Sequence, residues 1–585
     1  LTRTIIQRQP QADISSDDWA AGLDPVLARI YAHRDIRSAK ELEQSLEQLL
    51  PYDGLSGVDV AVDLLIAAIK RQQRILIVGD FDADGATSCA VAVRALRLLG
   101  AGPVDYLVPN RFEFGYGLTP EIVAVALEHY RPQVLVTVDN GIASLDGVAA
   151  ARAAGIQVLI TDHHLPGRML PNADAIVNPN QSGDSFASKH LAGVGVIFYV
   201  MLALRARLRI SGWFEQRGVP VPKLAGLLDL VALGTVADVV KLDHNNRILV
   251  AQGLARIRRG LGCAGINALI RVAKRQPDRI VASDLGFALG PRLNAAGRID
   301  DMALGIECLL TDDDASALVM AQELDNLNQE RRDIEGTMQQ QALASLAGLS
   351  GLTLDDSEAL PYGVCLYDPD WHQGVIGILA SRIKERLFRP VIAFAPAGDG
   401  QIKGSARSVA GLHIRDVLDA IASGCPGLLS KFGGHAMAAG LSLAEADFEA
   451  FSQAFDAEVR RHLAAADLRG VVLSDGQLQA QQLSLALAEQ LRNAGPWGQG
   501  FPEPVFDGAF FIRQSRIVGD KHLKLVLEPE TTGQPSSPID AIAFNTLPAD
   551  LPDTQGLIHC AYRLDVNEFR GQRTVQMIVE HIEAG

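Results

Sequence analysis

From residue 74 the chain alternates short, unbroken apolar runs with amphipathic helical stretches, and that alternation leaves few folds open to it. "RILIVGD" leads into "GATSCAVAVRALRLLG", a predicted helix closed by Gly100. "GPVDYLVPN" leads into "TPEIVAVALEHY", with Thr119 as N-cap and Pro120 in the first helical position. "QVLVTVDN", "ASLDGVAAARAAG" and "IQVLITDHH" repeat the pattern. Strands alternating with helices of this length build βαβ units and a parallel sheet. Strands that are apolar throughout belong to a sheet covered on both faces.

Open parallel sheets bind ligands beyond the carboxyl ends of their strands, and there this chain puts its acids and histidines. Asp80, Asp82 and Asp84 fall in "GDFDADG", Asp139 ends "VLVTV", and Asp162, His163 and His164 end "VLIT". Asp238, in "GTVADVV", is expected to fold over the same edge. Three carboxylates in one loop repel unless cations neutralise them. Carboxylates with imidazole suit Mn²⁺ or Mg²⁺. The seven groups Asp80, Asp82, Asp84, Asp139, Asp238, His163 and His164 exceed one ion's needs if a water is to stay. Two ions about 3.5–4 Å apart, sharing one carboxylate, would use them, activate water and clamp a phosphoryl group.

Blander readings exist for each piece. "DFDADG" opens like a calcium-binding EF-hand loop, but the twelfth position is Val91 instead of Glu, and a strand precedes it. Read singly, Asp139 is as well explained by capping the next helix, and "DHH" by a hydrogen-bonded structural pair. Their shared sheet edge argues for a joint role.

The chain of 585 residues is too long for one core and predicts three or four domains. Residues 1–70 read as mostly helical, through "LDPVLARIYAHRD" and "AKELEQSLEQLL"; 71–310 hold the parallel sheet. Residues 311–350 read as a connecting helix, capped by Thr311 and striped by Leu324, Leu327, Ile334 and Met338; a hinge, "LTLDDSEALPYG", follows. Residues 351–465 form a smaller α/β unit in which "KGSARS" and "KFGGHAMAAG" read as small-residue loops. Residues 466–585 read as a small antiparallel β-barrel.

There is no apolar run of about 18 residues and so no expected membrane span, and the first residues do not read as a signal peptide. The six scattered cysteines contain no C-x-x-C, against a disulfide framework or thiolate zinc site and in keeping with a reducing cytoplasm. The net charge of −16 argues against a generally basic nucleic-acid binder, but the acidic cluster carries part of it and a local basic groove is compatible with it.

"GDFDADG", "VDNG", "TDHH" and "GTVADVV" resemble, in order, the four motifs of the DHH phosphoesterases. "GPRLNAAGRI" and "LDNLNQERR" resemble later motifs of the RecJ branch, and "KFGGHAMAAG" the glycine-rich signature of its DHHA1-type accessory domain. The terminal strands resemble the OB-like barrel of that branch. The resemblance implies an α/β fold with a parallel-sheet DHH domain, an accessory α/β domain joined by a long helix, and the barrel. It implies metal-dependent hydrolysis of single-stranded DNA to mononucleotides from the 5′ end, in recombination and repair, including mismatch repair. It implies Asp82, Asp84, Asp139, His163 and Asp238 as metal ligands for two Mn²⁺ or Mg²⁺ ions, with Asp139 bridging and Asp80 a further ligand. His164 would contact the scissile phosphate or support the metal pair, and Asp162 would orient a ligand imidazole. Helicases, single-strand-binding protein and mismatch-repair factors are the implied partners, and a monomer is the default. Shorter DHH hydrolases acting on small RNAs or cyclic dinucleotides, and a metal-free scaffold, are the competing readings.

Candidates for holding the strand come from residue chemistry. Ser405 and Arg407 suit a phosphate oxygen, and His435 sits among glycines that admit a backbone. Arg292, Asn294 and Arg298 are expected to grip phosphates across a cleft; the alternative for each Arg is an ion pair. Arg111, with Phe112, Phe114 and Tyr116, combines charge with faces on which bases stack; core packing is the alternative for the rings.

Overall fold

The computed structural model describes residues 3–9, 18–109, 117–350, 360–519, 521–530, 537–546, 548, 556–569 and 571–584. Arg111 with Phe112, Phe114 and Tyr116, and the hinge stretch 351–359, lie outside the described residues.

The N-terminal segment is less helical than its sequence suggests. It opens with strand β1 (Arg3–Gln7), paired in parallel with a strand at Gly470–Ser474. Helices form at Pro25–Ala32 and Val58–Lys70, but "AKELEQSLEQLL" holds only single 3-10 turns at Ala39–Leu42 and Leu46–Gln48. Its backbone is engaged from outside instead. The Gln44 carbonyl accepts from the Gln252 side chain, and the Leu50 N–H donates to Asn245.

Five parallel strands follow, β2 (Ile75–Gly79), β3 (Val104–Leu107), β4 (Val134–Val138), β5 (Gln157–Thr161) and β6 (Ala175–Val177), in the order β3-β2-β4-β5-β6. β2 and β4 are wholly buried because both faces are covered. Ile75 and Ile77 pack with the helices Ala83–Leu99, Gly193–Ile210 and Leu228–Ala237, while Leu76 and Val78 face Pro120–His129 and Leu145–Ala153. After β2 the chain goes to one side, and it returns as β4 on the other. The crevice between their carboxyl ends is the topological switch point.

A helix of 37 residues, Asp314–Ser350, links this core to the next. Leu324 and Leu327 are buried in the first core and Met338 in the second. Asp313, not Thr311, caps it: the Asp313 carboxylate accepts from Ser316 N–H at 2.7 Å, and the Thr311 hydroxyl accepts from Asp313 N–H. A carboxylate suits the positive end of the helix dipole better than a hydroxyl does.

The second sheet contains β7 (Val364–Tyr367), β8 (Val391–Gly398), β9 (Gln401–Arg407), β10 (Lys431–Gly434) and β11 (Ala438–Ala444), in the order β10-β11-β9-β8-β7. The two stretches expected as loops are therefore strands: "KGSARS" lies largely in β9, and "KFGGHAMAAG" is the β10–β11 hairpin with His435 in its turn. Their small residues serve close packing. A Cβ on Gly404 would lie 2.5 Å from the Phe394 ring, and Gly434 takes φ +146° at the turn.

After β12 (Gly470–Ser474) come β13 (Phe506–Val518), β14 (His522–Pro529), β15 (Ile539–Ala543), β16 (Leu557–Phe569) and β17 (Gln572–Ala584), closed in the order β13-β14-β15-β17-β16. The barrel is not wholly antiparallel: β15 and β17 run parallel. Five strands cannot alternate direction around a closed ring, so at least one pair must.

The C-terminal domain is fastened to the rest of the chain by charge pairs, one of them fully buried. Arg34 grips Asp475 with two nitrogens, at 2.9 and 3.0 Å, and His33 Nδ1 lies 3.1 Å from the same carboxylate. Arg279 pairs with Glu568 of β16. Among the described residues no helix is long and apolar enough to cross a membrane.

Candidate metal centre

The acidic loop leaves β2 at the switch point and turns directly into the helix Ala83–Leu99. Asp82 is the N-cap, its Oδ1 accepting from the N–H groups of Asp84 (2.9 Å) and Gly85 (3.0 Å). The helix N-terminus favours its charge. Gly85 has to be glycine, because a Cβ there would lie 2.4 Å from the Asp80 carbonyl oxygen. Asp84 is held from another side. Its Oδ2 accepts from Gly193 N–H (2.6 Å) and its Oδ1 from Val194 N–H (2.9 Å), the first N–H groups of the helix Gly193–Ile210.

Across the crevice, Asp139 ends β4 with φ +62°, a left-handed conformation that Asp tolerates better than most residues. Beneath it the Asn140 amide donates to the carbonyls of Val78 (3.1 Å) and Val138 (2.9 Å), tying the ends of β2 and β4 together. Asp162 organises the histidines. Its Oδ1 accepts from the backbone N–H groups of His163 (2.7 Å) and His164 (3.0 Å) and lies 2.8 Å from His164 Nδ1. The imidazole it orients is thus that of His164. The His163 imidazole donates to the Leu191 backbone carbonyl and turns Nε2 toward Asp139 Oδ1 (3.0 Å) and Asp238 Oδ2 (3.5 Å).

All seven expected groups converge. Asp80–Asp82–Asp139, Asp139–His163–His164 and Asp84–His163–Asp238 each place one donor atom per residue within 4.8 Å of the others. Asp139 belongs to two of these sets, which is the arrangement a shared carboxylate needs. His163 Nε2 and Asp238 Oδ2 are buried with no hydrogen-bond partner. Such atoms are costly to leave unpaired, and a cation would pair both, so the residues fit a divalent metal.

Electrostatics point the same way. Burial, and then the neighbouring Asp82 charge, push the Asp84 carboxyl up to about 7. Burial and the other carboxylates raise Asp139 and Asp238 well above the ordinary range. Burial lowers His163 to about 4, so its ring is neutral and can ligate. For His164, burial works downward but the bond and charge of Asp162 outweigh it.

A carboxyl whose pKa is raised by folding stabilises the metal-free protein fully below its unfolded value, and that contribution is lost as pH rises through the folded one. For Asp84 the window runs from about 3.8 to about 7. Metal binding must expel the retained proton. Calorimetric titration of Mn²⁺ in buffers of different ionisation heat is therefore expected to count more protons released per chain below pH about 7 than above it. Proton release that does not change with pH would contradict the assignment.

Two groups missed by sequence reasoning fix the histidines. The amides of Asn178 and Asn180 donate to the carbonyls of His164 (2.9 Å) and His163 (2.6 Å). Their only signal was the turn-like "NPN". Gly193 was also missed, and a Cβ there would lie 2.5 Å from Asp139 Cβ.

The expected phosphate-gripping residues divide. Arg292 is spent inside the fold, donating to the Ala288 carbonyl (2.5 Å) and pairing with Asp325 of the long helix (2.7 Å). Asn294 accepts from the Ala83 N–H (2.7 Å), so it buttresses the acidic loop instead of spanning a cleft. Arg298 does span one, donating to the Gly374 carbonyl (3.2 Å) in the second α/β unit. Ser405 and Arg407 lie on β9, with Nη1 of Arg407 3.1 Å from the Ser405 hydroxyl; their β11 partners are Gly440 and Ala438. The hairpin carrying His435 closes over the centre. Its ring stacks near-parallel to that of His164, with centroids 6.5 Å apart.

Comparison with known proteins matches three stretches of the chain. Residues 74–235 match the DHH family, N-terminal domain; 360–461 the DHHA1 domain; and 474–581 the RecJ OB domain. A protein of Escherichia coli K12 named single-stranded-DNA-specific exonuclease RecJ is 56% identical over 585 residues, covering 100% of both chains. Its Dickeya dadantii namesake is 56% identical over 580 residues, covering 99% of both. The crystal structure of Thermus thermophilus RecJ in complex with Mn²⁺ superposes with TM-score 0.80 at 30% identity, over 99% of this chain and 79% of that one. A second Thermus thermophilus RecJ structure holds Mg²⁺, with TM-score 0.74 at 29% identity, over 99% of this chain and 78% of that one.

Proposed function

This chain belongs to the RecJ family of single-stranded-DNA-specific exonucleases, and on that premise we propose that it hydrolyses single-stranded DNA from the 5′ end to mononucleotides, in recombination and repair, including mismatch repair. The observation that carries the reading is the pair of buried donor atoms that no hydrogen bond satisfies, His163 Nε2 and Asp238 Oδ2, in a seven-group cluster roofed by a second domain. Asp80, Asp82, Asp84, Asp139, His163 and Asp238 would hold two Mn²⁺ or Mg²⁺ ions, with Asp139 shared. When bound, the ions would activate water and offset charge on the phosphoryl group.

The protein's own groups position the strand. His164, held at Nδ1 by Asp162, would turn its imidazole to a phosphate oxygen. Arg298, Ser405 and Arg407 supply hydrogen-bond donors along the cleft, and His435 closes its far wall. In this reading 71–310 cuts, 351–465 roofs the site, 466–585 holds the downstream strand, and 311–350 spaces the first two. A cytoplasmic setting suits the six free cysteines. Helicases, single-strand-binding protein and mismatch-repair factors would supply or consume its strands, and we take it to act as a monomer.

End-labelled DNA tests this. With Mn²⁺ or Mg²⁺, a 5′-labelled single strand is expected to release labelled mononucleotide at the earliest times, a 3′-labelled one only at the end, and a blunt duplex very little. Early release of the 3′ label would reverse the polarity, and labelled oligomers would refute mononucleotide release.

A further inference from the structure

We propose that Phe287 is a platform on which a base of the strand stacks between the metal centre and the barrel, with Arg332 taking a neighbouring phosphate; the inference rests on the exonuclease reading above. Phe287 is 81% exposed, while Leu285 and Leu289 on either side of it are buried. The backbone is thus anchored and one aromatic ring projects into water, forgoing the burial such rings normally gain. The turn that projects it, Leu285–Leu289, is a single π-helical turn running straight into the helix Gly290–Ile299. Turns of this kind occur often at functional sites.

Two clefts meet at this ring. One, of about 420 Å³, lies between the helix Gly290–Ile299, the long helix and the helix Ile376–Leu387. Asn294 in its wall is hydrogen-bonded to the acidic loop, so it abuts the metal centre. Its lining carries Arg298, Arg331, Arg332 and Arg382 against the single acid Glu335, which is already paired with Arg331 and Arg382. Arg332 is exposed and has no ion-pair partner among the described residues. The other cleft, of about 940 Å³, lies between the catalytic core and the barrel, from Val236 and Val239, which flank Asp238, to β16. Phe287 lines both.

A strand leaving the metal centre for the barrel passes this ring. Surplus positive charge complements a phosphate backbone, and an exposed ring stacks any base, as a nuclease without sequence preference requires. An acidic peptide would match the charge but would not account for continuity with the metal centre.

The test uses the full chain as Asp139→Asn, so that the strand stays intact. Single strands carry 2-aminopurine at successive positions from the 5′ end and an anisotropy dye at the 3′ end. One position is expected to show stacking-quenched fluorescence on binding. Phe287→Ala should abolish the quench and weaken binding about tenfold, and Phe287→Trp should restore both. Arg332→Gln should reduce the slope of log Kd against log salt by about 0.7. Binding with no quenched position, or with a quench indifferent to Phe287→Ala, overturns the platform. An unchanged salt slope overturns the role of Arg332. Anisotropy reports the functional reading separately: strands that bind no form of the protein would sink that reading and this inference together.

Discussion

Asp139→Asn is expected to lower hydrolysis of single-stranded DNA by about a thousandfold or more while strand affinity stays within about threefold. The carboxylate is shared by two of the three donor sets, so its loss weakens both ion positions at once. Lewis-acid stabilisation amounts to several kcal/mol, which is about three powers of ten in rate. Strand affinity rests on phosphate contacts spread along the cleft and the barrel, which Asp139 does not make. Asn is the informative substitution because φ at this position is +62°, where Asn is at ease and Ala would add strain of its own. Single-turnover cleavage with anisotropy on the same preparation decides it. Turnover within tenfold of the parent would refute the shared-carboxylate arrangement.

Gly193→Ala is expected to have the next largest effect, without removing any charge. The new Cβ would lie 2.5 Å from Asp139 Cβ and 2.8 Å from its Cα and Cγ, so the helix Gly193–Ile210 must retreat. Retreat breaks the bonds from Gly193 and Val194 to Asp84 and leaves that buried carboxylate without its two donors. We expect Mn²⁺ affinity and activity to fall about a hundredfold, with overpacking costing about 1–3 kcal/mol of stability. Gly195→Ala, two residues on, is the control. There the nearest obstacle is the end of the Leu191 side chain at 3.0 Å, which can move, so activity and metal affinity should be retained. Calorimetric metal titration and thermal melts read both variants. Equal behaviour of the pair would refute the packing argument.

What could be read from sequence was whatever neighbouring residues decide. The βαβ region follows from local caps and periodicity: Thr119 does cap its helix, its hydroxyl accepting from Ile122 N–H, and Gly100 does close the one before it in a left-handed turn. The convergence of Asp80, Asp139 and His163 was legible because one rule, that ligands sit beyond strand ends, covers all three; Asp238 instead arrives at the end of the helix Leu228–Ala237. The misreadings share a cause in distant partners. "AKELEQSLEQLL" has helical periodicity, yet its backbone bonds to Asn245 and Gln252. Ser405 and Arg407 looked like loop residues because Gly and Ser suggest turns, whereas Phe394 needs the space that Gly404 leaves. Arg292 looked like a phosphate ligand, but its partner Asp325 is on the next helix but one.

Strand β1 finds its only strand partner among the described residues, β12, more than 460 residues later. A ribosome adding about 5–20 residues per second needs roughly half a minute to a minute and a half to make that partner. The five-stranded parallel sheet can assemble meanwhile, since all its strands are made by residue 177. The β1–β12 seam therefore closes well after that sheet can have formed, although its first strand precedes the sheet in sequence. Any message cut short before residue 470 yields a protein whose opening strand has nothing to zip to, an exposed edge of the kind that quality control and aggregation both select.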